Sequence, residues 1–114
     1  MIGIFLDDER HPSDVSWVDY KEHINWHIIR RPADFLFAIY NVEGEFVVYF
    51  DNDLQAFDLA GNEETGYTLL KQMIDYCIAS GLQLPKCYFH TQNPIGKQNM
   101  ECYYKNSKRF MEKI

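Results

Sequence analysis

The sequence has few cysteines and no long apolar segment. Its three cysteines, Cys77, Cys87 and Cys102, are odd in number and form no C-x-x-C pair, which is typical of reduced thiols in a cytosolic protein. The apolar run at residues 2–6 is too short to span a membrane, and no basic segment precedes it. We therefore expect a cytoplasmic protein without disulfides, signal peptide or membrane partner.

Positive charge is also scarce, because 11 Lys and Arg stand against 17 Asp and Glu, giving a net charge of −6. General binding to nucleic-acid backbones requires many basic residues, so we exclude it. Contact with one phosphate of a nucleotide or an RNA end stays compatible with this charge. The sequence contains neither a G-x-x-x-x-G-K-[ST] phosphate loop nor a G-x-S-x-G nucleophile elbow, and it has no internal repeat.

The length of 114 residues fits one domain over 1–114, with 46% hydrophobic residues to form its core. Short apolar runs predict strands at residues 2–6, 26–29, 46–50 and 86–89. Helices are predicted at 32–40, at about 70–78 before Gly81, and from Pro94 to the end, with Asn93 as N-cap. Residues 11–25 read as a long irregular connection with a short turn at 18–22, and residues 55–64 as a polar loop.

Because strands and helices alternate, we predict an α/β fold with a small doubly wound parallel sheet of about four strands in the order 2-1-3-4. Polar clusters directly follow three of these strands. They are Asp7-Asp8-Glu9-Arg10, Asp51-Asn52-Asp53 and His90-Thr91-Gln92-Asn93. The carboxyl ends of parallel strands meet at one edge of the sheet, so the clusters should form a single site.

Four carboxylates at that edge would repel one another unless a cation neutralised them. We assign Asp7, Asp8, Asp51 and Asp53 as ligands of Mg²⁺ or Mn²⁺, since hard oxygen donors favour such ions. The alternative is that some of these acids only cap helices or form turns.

Histidine and basic residues near the predicted edge suggest phosphate chemistry. His90 could protonate a leaving oxygen, activate water or bind a metal, or it could be a hydrogen-bonded structural group. Arg10 could bind phosphate or only pair with an aspartate. Lys97, in the first turn of the last helix, fits a nearby anion or a solvated surface. We assign His90, Asp8 and Arg10 to catalysis. We assign Arg30, Asn52, Asn93 and Lys97 to substrate binding.

Four blocks of sequence resemble one known family when they are taken in order. The blocks are Phe5-Leu6-Asp7-Asp8-Glu9-Arg10-x-Pro12, Phe50-Asp51-Asn52-Asp53-Leu54, Thr65-Gly66-Tyr67-x-Leu69-Leu70 and His90 to Met100. Together they resemble the cyclic-phosphate-processing receiver-like domains of bacteria and phages, over residues 2 to about 104. The resemblance implies a reduced receiver or flavodoxin-like fold that handles cyclic phosphates, for instance at damaged RNA ends, in the host cytoplasm if a phage encodes it.

Carried over by position, the resemblance implies functional roles for seven residues of the three polar clusters and for one further arginine. These are Asp7, Asp8, Arg10, Asp51, Asp53, His90 and Asn93, with Arg30 matching an arginine after the second strand. The family commonly reads D-H-D where this chain has Asn52, so a scheme with two histidines does not apply here. Gln92 and Lys97 are milder departures from the family pattern.

Three functions follow as hypotheses. The first is a metal-assisted phosphoesterase acting on a cyclic phosphate of a nucleotide or RNA end. The second is a non-catalytic module that binds a cyclic nucleotide, a terminal phosphate or a protein partner. The third, an ordinary receiver phosphorylated on Asp51, is weakened by the absence of a lysine directly after the last strand.

Overall fold

The part of the chain that the structure describes is built around a parallel sheet of four strands with three α-helices. The computed structural model describes residues 1–20 and 23–113. In chain order, the strands and helices are β1 (Ile2–Leu6), β2 (Asn25–Ile29), α1 (Pro32–Asn41), β3 (Phe46–Phe50), β4 (Ala56–Phe57), β5 (Glu63–Glu64), α2 (Gly66–Ser80), β6 (Lys86–Phe89) and α3 (Pro94–Glu112). The main sheet has the order β2-β1-β3-β6. Because β6 is its fourth strand, the predicted α/β class, the parallel sheet and the strand order are confirmed.

The register of the sheet aligns the carboxyl ends of its strands. Leu6 lies beside Ile29 on one side and Phe50 on the other, and Phe50 lies beside Phe89. Backbone hydrogen bonds extend each pairing by one residue, from the amides of Asp7, Asp51 and His90 to the carbonyls of Ile29, Leu6 and Phe50. The polar clusters after three strands therefore begin at the same level of the sheet.

One face of the sheet packs against all three helices. Side chains alternate along each strand, so Ile4, Leu6, Val48 and Phe50 point to this face. The helices add apolar residues at helical spacing, among them Phe35 and Ile39 of α1, Leu70, Met73, Ile74 and Cys77 of α2, and Met100 of α3. This cluster is the main hydrophobic core.

The opposite face carries a second, smaller cluster around Phe5, Val47 and Tyr49. Within the described residues, this face is covered by the connection between β1 and β2 and not by a helix. Val15 and Tyr20 of that connection pack here beside Trp26. The irregular connection therefore takes the place that a helix has in a sheet wound on both sides.

The helix ends follow the chemistry of their sequences. The Asn93 side chain accepts a hydrogen bond from the Gly96 amide at 3.0 Å, with Pro94 as the first residue of α3. Gly81 ends α2 with a φ of 68°, a conformation that favours glycine. Helix α2 begins at Gly66, earlier than predicted, because Thr65 caps it through the Thr68 amide.

Two short features differ from the sequence expectation. The predicted polar loop at 55–64 contains an antiparallel hairpin of β4 and β5, each of two residues. The connection after β1 contains a 3₁₀ turn at Pro12–Asp14. Of the turn expected at 18–22, residues 18–20 form no helix, and residues 21 and 22 lie outside the described part. None of the described helices has the length and apolar character needed to cross a membrane.

Candidate active site

Three aspartates meet at the carboxyl edge of the sheet. Asp7 follows β1, Asp8 is next to it, and Asp51 follows β3. One carboxylate oxygen of each lies within 4.8 Å of one oxygen of each of the other two. Asp7 and Asp51 are buried, whereas Asp8 is partly exposed. The register of two neighbouring strands thus creates a compact cluster of acids.

Asp7 is held in its ionised form. Burial alone would raise its pKa, but hydrogen bonds from His90 and from the backbone amides of Arg10 and Glu9 outweigh burial and lower the pKa to about 2. The two amides donate to Oδ1 at 2.8 and 2.9 Å, and Nε2 of His90 lies 3.0 Å from Oδ2. Asp7 is therefore a fixed negative charge beneath the site.

Burial and neighbouring negative charge disfavour the ionised forms of the other two carboxylates. The pKa of Asp51 is raised by burial and by the charge of Asp7, although the Thr91 side chain and the Asn52 amide hydrogen-bond to it. The pKa of Asp8 is also raised, first by burial and then by the charges of Asp7 and Glu9. A cation between Asp8 and Asp51 would remove this cost.

The donor set fits a hard divalent cation. All three groups offer carboxylate oxygens, and neither cysteine nor histidine belongs to the cluster within the described residues. The Asp7 oxygens already accept from two amides and from His90. Asp8 and Asp51 are therefore the residues that would hold the ion directly, with Asp7 supplying charge behind them. An acidic cluster that can bind a metal was expected from the sequence, and the geometry agrees.

An open pocket of about 420 Å³ lies beside this cluster. It is lined by Asp8, Glu9, Arg10, Asp51, Asp53, Gln55, Thr91, Gln92, Asn93 and Pro94. Arg10 is its basic residue, with a guanidinium nitrogen 3.4 Å from Oε1 of Gln92 and another 3.8 Å from Oδ2 of Asp7. Acidic oxygens and a guanidinium thus face the same space, as binding of a phosphate together with a metal requires.

Asp53 and Asn93 line the pocket but pair with each other. Nδ2 of Asn93 lies 3.3 Å from both carboxylate oxygens of Asp53. Asp53 is exposed and does not belong to the compact cluster of acids. The structure thus groups three of the four expected metal ligands and places the fourth at the rim.

His90 contacts the acidic cluster from the interior of the protein. Its side chain is fully buried, and its ring stacks on Phe5 with centroids 4.4 Å apart. Nε2 donates to Asp7, while Nδ1 has no hydrogen-bond partner among the described residues. The pocket lining does not include His90. In this conformation the His90 ring contacts Asp7 and Phe5.

Three of the predicted substrate-binding residues also lie outside the pocket lining. Arg30 donates to the carbonyls of Asp7 and Arg10, at 3.1 and 2.6 Å, and so fixes the loop after β1. Asn52 is buried, and its Oδ1 accepts from the Tyr67 amide at 3.2 Å. Lys97 is exposed and lies 3.9 Å from Glu101, one turn along α3.

The structure adds two residues that the sequence reasoning did not select. The Trp17 indole nitrogen donates to the His90 carbonyl at 2.7 Å, and the Arg10 guanidinium carbon lies 5.4 Å from the centre of the Trp17 ring. Gly66 packs so closely on β3 that a Cβ would overlap the Asp51 carbonyl oxygen. Trp17 lies in an irregular segment without periodicity, so no pattern in the sequence marked it, whereas Gly66 directly follows the cap Thr65 at a helix start.

A parallel sheet in this order, with an acidic cluster after its first and third strands, defines a receiver-like domain. The family model of the cyclic-phosphate processing receiver domain matches residues 2–106, so the chain belongs to that family. No curated protein and no solved structure matches the chain.

Proposed function

We propose that this protein is a metal-assisted phosphoesterase that opens the cyclic phosphate of a nucleotide or an RNA end. The observation that carries the proposal is the compact cluster of Asp7, Asp8 and Asp51 beside a pocket that also exposes Arg10. Membership of a family of cyclic-phosphate processing domains supports the substrate class. Repair of damaged RNA ends, in a bacterium or a phage-infected cell, is a setting in which such a substrate arises.

Asp8 and Asp51 would hold Mg²⁺ or Mn²⁺, and Asp7 would keep the site negative at neutral pH because its pKa is about 2. The bound ion would supply Lewis-acid polarisation of the phosphoryl group and a lower pKa for water. Arg10 would bind the phosphoryl oxygens and stabilise the charge that develops on them. Gln92, which accepts from Arg10, would keep the guanidinium directed into the pocket.

The role of His90 changes in this proposal. The sequence suggested that it protonates the leaving oxygen, but its ring is buried behind Asp7. We assign it as a positioning residue that holds Asp7 ionised and oriented. Hydrolysis adds water across one P–O bond of the ring, and the leaving oxygen would take its proton from solvent in the open pocket.

The test is ³¹P NMR of the purified protein with 2′,3′-cyclic, 3′,5′-cyclic and cyclic oligonucleotide substrates. Spectra are recorded with Mg²⁺ or Mn²⁺ and again with EDTA. We expect the signal of at least one cyclic phosphate to disappear only when metal is present, with a phosphomonoester or an opened diester as product. Cyclic signals that stay unchanged in every metal-containing sample would reject the esterase.

Variants connect the activity to the site. Asp51→Asn removes one metal-binding charge and should lower turnover at least about a hundredfold, in the range seen when a group that stabilises transition-state charge is lost. Asp75→Asn is the matched control, because Asp75 is an exposed aspartate of α2 outside the pocket lining. Equal turnover in both variants would assign the activity to a different site or to a contaminant.

A second candidate, a module that binds a cyclic or terminal phosphate without cleaving it, is favoured by one observation. No histidine lines the pocket within the described residues, and Asn52 stands where the family commonly has one. In that case the ³¹P signals would broaden or shift on addition of protein, and no product would form at high protein concentration. A protein partner at the same surface is compatible with this alternative.

A further inference from the structure

Trp17 is an exposed aromatic residue beside the proposed phosphate pocket. Its side chain is 42% exposed. A tryptophan of the connection between β1 and β2 could have packed with Tyr20 into the small core on this face of the sheet. It lies instead next to Arg10, a residue of the pocket lining.

Hydrogen bonds hold both partners of this contact in place. The indole nitrogen of Trp17 donates to the His90 carbonyl at 2.7 Å, so the ring is tied to the end of β6. The Arg10 carbonyl accepts from Arg30 at 2.6 Å, and its amide donates to Asp7 at 2.8 Å. An exposed ring fixed in this way loses little conformational entropy when a ligand packs against it.

The distances suit a nucleotide. The Arg10 guanidinium lies over one face of the indole, 5.4 Å from the ring centre, so a phosphate bound to Arg10 would lie close to the ring and a base would stack on the part of the ring that stays exposed. A single ribose joins phosphate and base over a comparable span. Aromatic side chains beside a basic group are a common surface on which unpaired bases stack, and every base has a face that can do so.

We propose that Trp17 is a stacking platform for the nucleobase of the substrate, so that the site takes a nucleoside or RNA-end cyclic phosphate and discriminates against cyclic phosphates without a base. The inference rests on the proposed function, because it needs the phosphate in the pocket. It adds a residue that touches substrate and a reason for selecting nucleotides. Since stacking needs no base-edge hydrogen bond, the platform accepts all four bases.

The test compares two probes that share a five-membered cyclic phosphate, namely adenosine 2′,3′-cyclic phosphate and glycerol cyclic phosphate. Affinities are measured by calorimetry with Ca²⁺ in place of Mg²⁺, so that turnover does not interfere, on the unmodified chain and on Trp17→Leu and Trp17→Phe. We expect the unmodified protein to prefer the nucleotide at least about tenfold. The preference should vanish in Trp17→Leu and persist in Trp17→Phe, which keeps an aromatic ring but loses the bond to His90.

A second readout separates stacking from a structural role. In ¹⁵N-labelled protein the indole signals of Trp17 and Trp26 report the two rings separately, and Trp17→Phe assigns them. The nucleotide should shift the Trp17 signal much more than glycerol cyclic phosphate does, while Trp26, which packs against Phe5 and Tyr49, stays unchanged.

The outcomes distinguish this inference from the proposed function. Equal affinity for both probes in all three proteins would overturn the platform and leave the phosphate site intact. Loss of the preference in Trp17→Phe as well as in Trp17→Leu would also overturn it, because the bond to His90 would then be the cause. Binding of neither probe would reject the phosphate site and the platform together. Nucleotide preference without turnover would support the platform and reject the esterase.

Discussion

At the scale of single residues, the contact between Asp7 and His90 is the best defined feature of the site. Both side chains are fully buried, and Nε2 of His90 lies 3.0 Å from the Asp7 carboxylate. Since two backbone amides also donate to Asp7, the ionised carboxylate is part of the fold as well as of the site. A charge of this kind links stability to pH.

We predict that Asp7→Asn lowers the free energy of unfolding by about 2 kcal/mol at pH 7, which is the energy equivalent of a pKa lowered from 3.8 to about 2. Because the folded-state pKa lies below the unfolded one, this stability is present above about pH 4 and is lost as the pH falls toward 2. The difference between the wild-type protein and Asp7→Asn should therefore shrink below pH 4. Urea denaturation at a series of pH values measures it.

The control for this prediction is Asp75→Asn, because Asp75 is an exposed residue of α2. It should unfold like the wild-type protein at each pH. A difference between wild type and Asp7→Asn that stayed constant from pH 7 to pH 2.5 would show that the charge of Asp7 does not stabilise the fold.

The sequence predicted the acidic cluster but not the position of His90. Asp7 and Asp51 follow neighbouring strands, so their proximity is a direct result of parallel register. Alternation along β6 sends His90 to the face that carries Phe5. Whether that face is open or covered depends on the irregular connection before β2, which has no periodic pattern from which its path could be predicted.

At the scale of elements, the start of α2 is fitted tightly against the end of β3. The Gly66 amide donates to the Asn52 carbonyl at 2.9 Å, and the Tyr67 amide donates to the Asn52 side chain. A Cβ on Gly66 would overlap the backbone oxygen of Asp51. Since backbone atoms cannot turn away as a flexible side chain can, α2 and the loop after β3 would have to separate.

We predict that Gly66→Ala destabilises the protein by at least about 2 kcal/mol, in the range for overpacking a tightly packed site, and weakens Mg²⁺ binding because it displaces Asp51. Gly81→Ala at the other end of α2 is the control. Its Cβ would meet no atom within 4 Å, but its φ is positive, so it should cost about 1 kcal/mol and leave Mg²⁺ binding unchanged. Circular dichroism melts with and without Mg²⁺ compare the two. Equal loss of stability and of metal binding in both would argue against a specific contact at Asp51.

The long elements could be predicted from the sequence, whereas the shortest could not. The strand at 86–89 and the helix start at Pro94 agree with the structure to the residue, because apolar runs and an Asn-Pro cap are strong local signals. The hairpin of β4 and β5 was missed because its strands of two residues are too short to show alternation. Gln55, with a φ of 52°, precedes this hairpin, and no glycine marks that conformation in the sequence.

At the scale of the whole molecule, the buried negative charge of the acidic site lowers the free energy of unfolding, and a bound cation would remove this loss. The chain already carries a net charge of −6, and the pKa of Asp51 is raised by burial and by the charge of Asp7. A carboxylate whose folded-state pKa is raised destabilises the fold above that pKa, and the stability returns as the pH falls through it. At neutral pH the metal-free protein is therefore less stable than its packing would allow.

We predict that Mg²⁺ stabilises the whole chain and that Asp51→Asn abolishes this stabilisation. Mg²⁺ at a hundred times its dissociation constant should add about 2.7 kcal/mol to the wild-type free energy of unfolding, because it binds the folded state alone. Asp51→Asn should be more stable than wild type without metal, since the amide keeps an acceptor for the Asn52 amide and carries no charge. It should gain almost nothing from Mg²⁺. Thermal denaturation in EDTA, in MgCl₂ and in NaCl of equal ionic strength separates metal binding from screening, and an apo variant less stable than wild type would contradict the electrostatic cost assigned to Asp51.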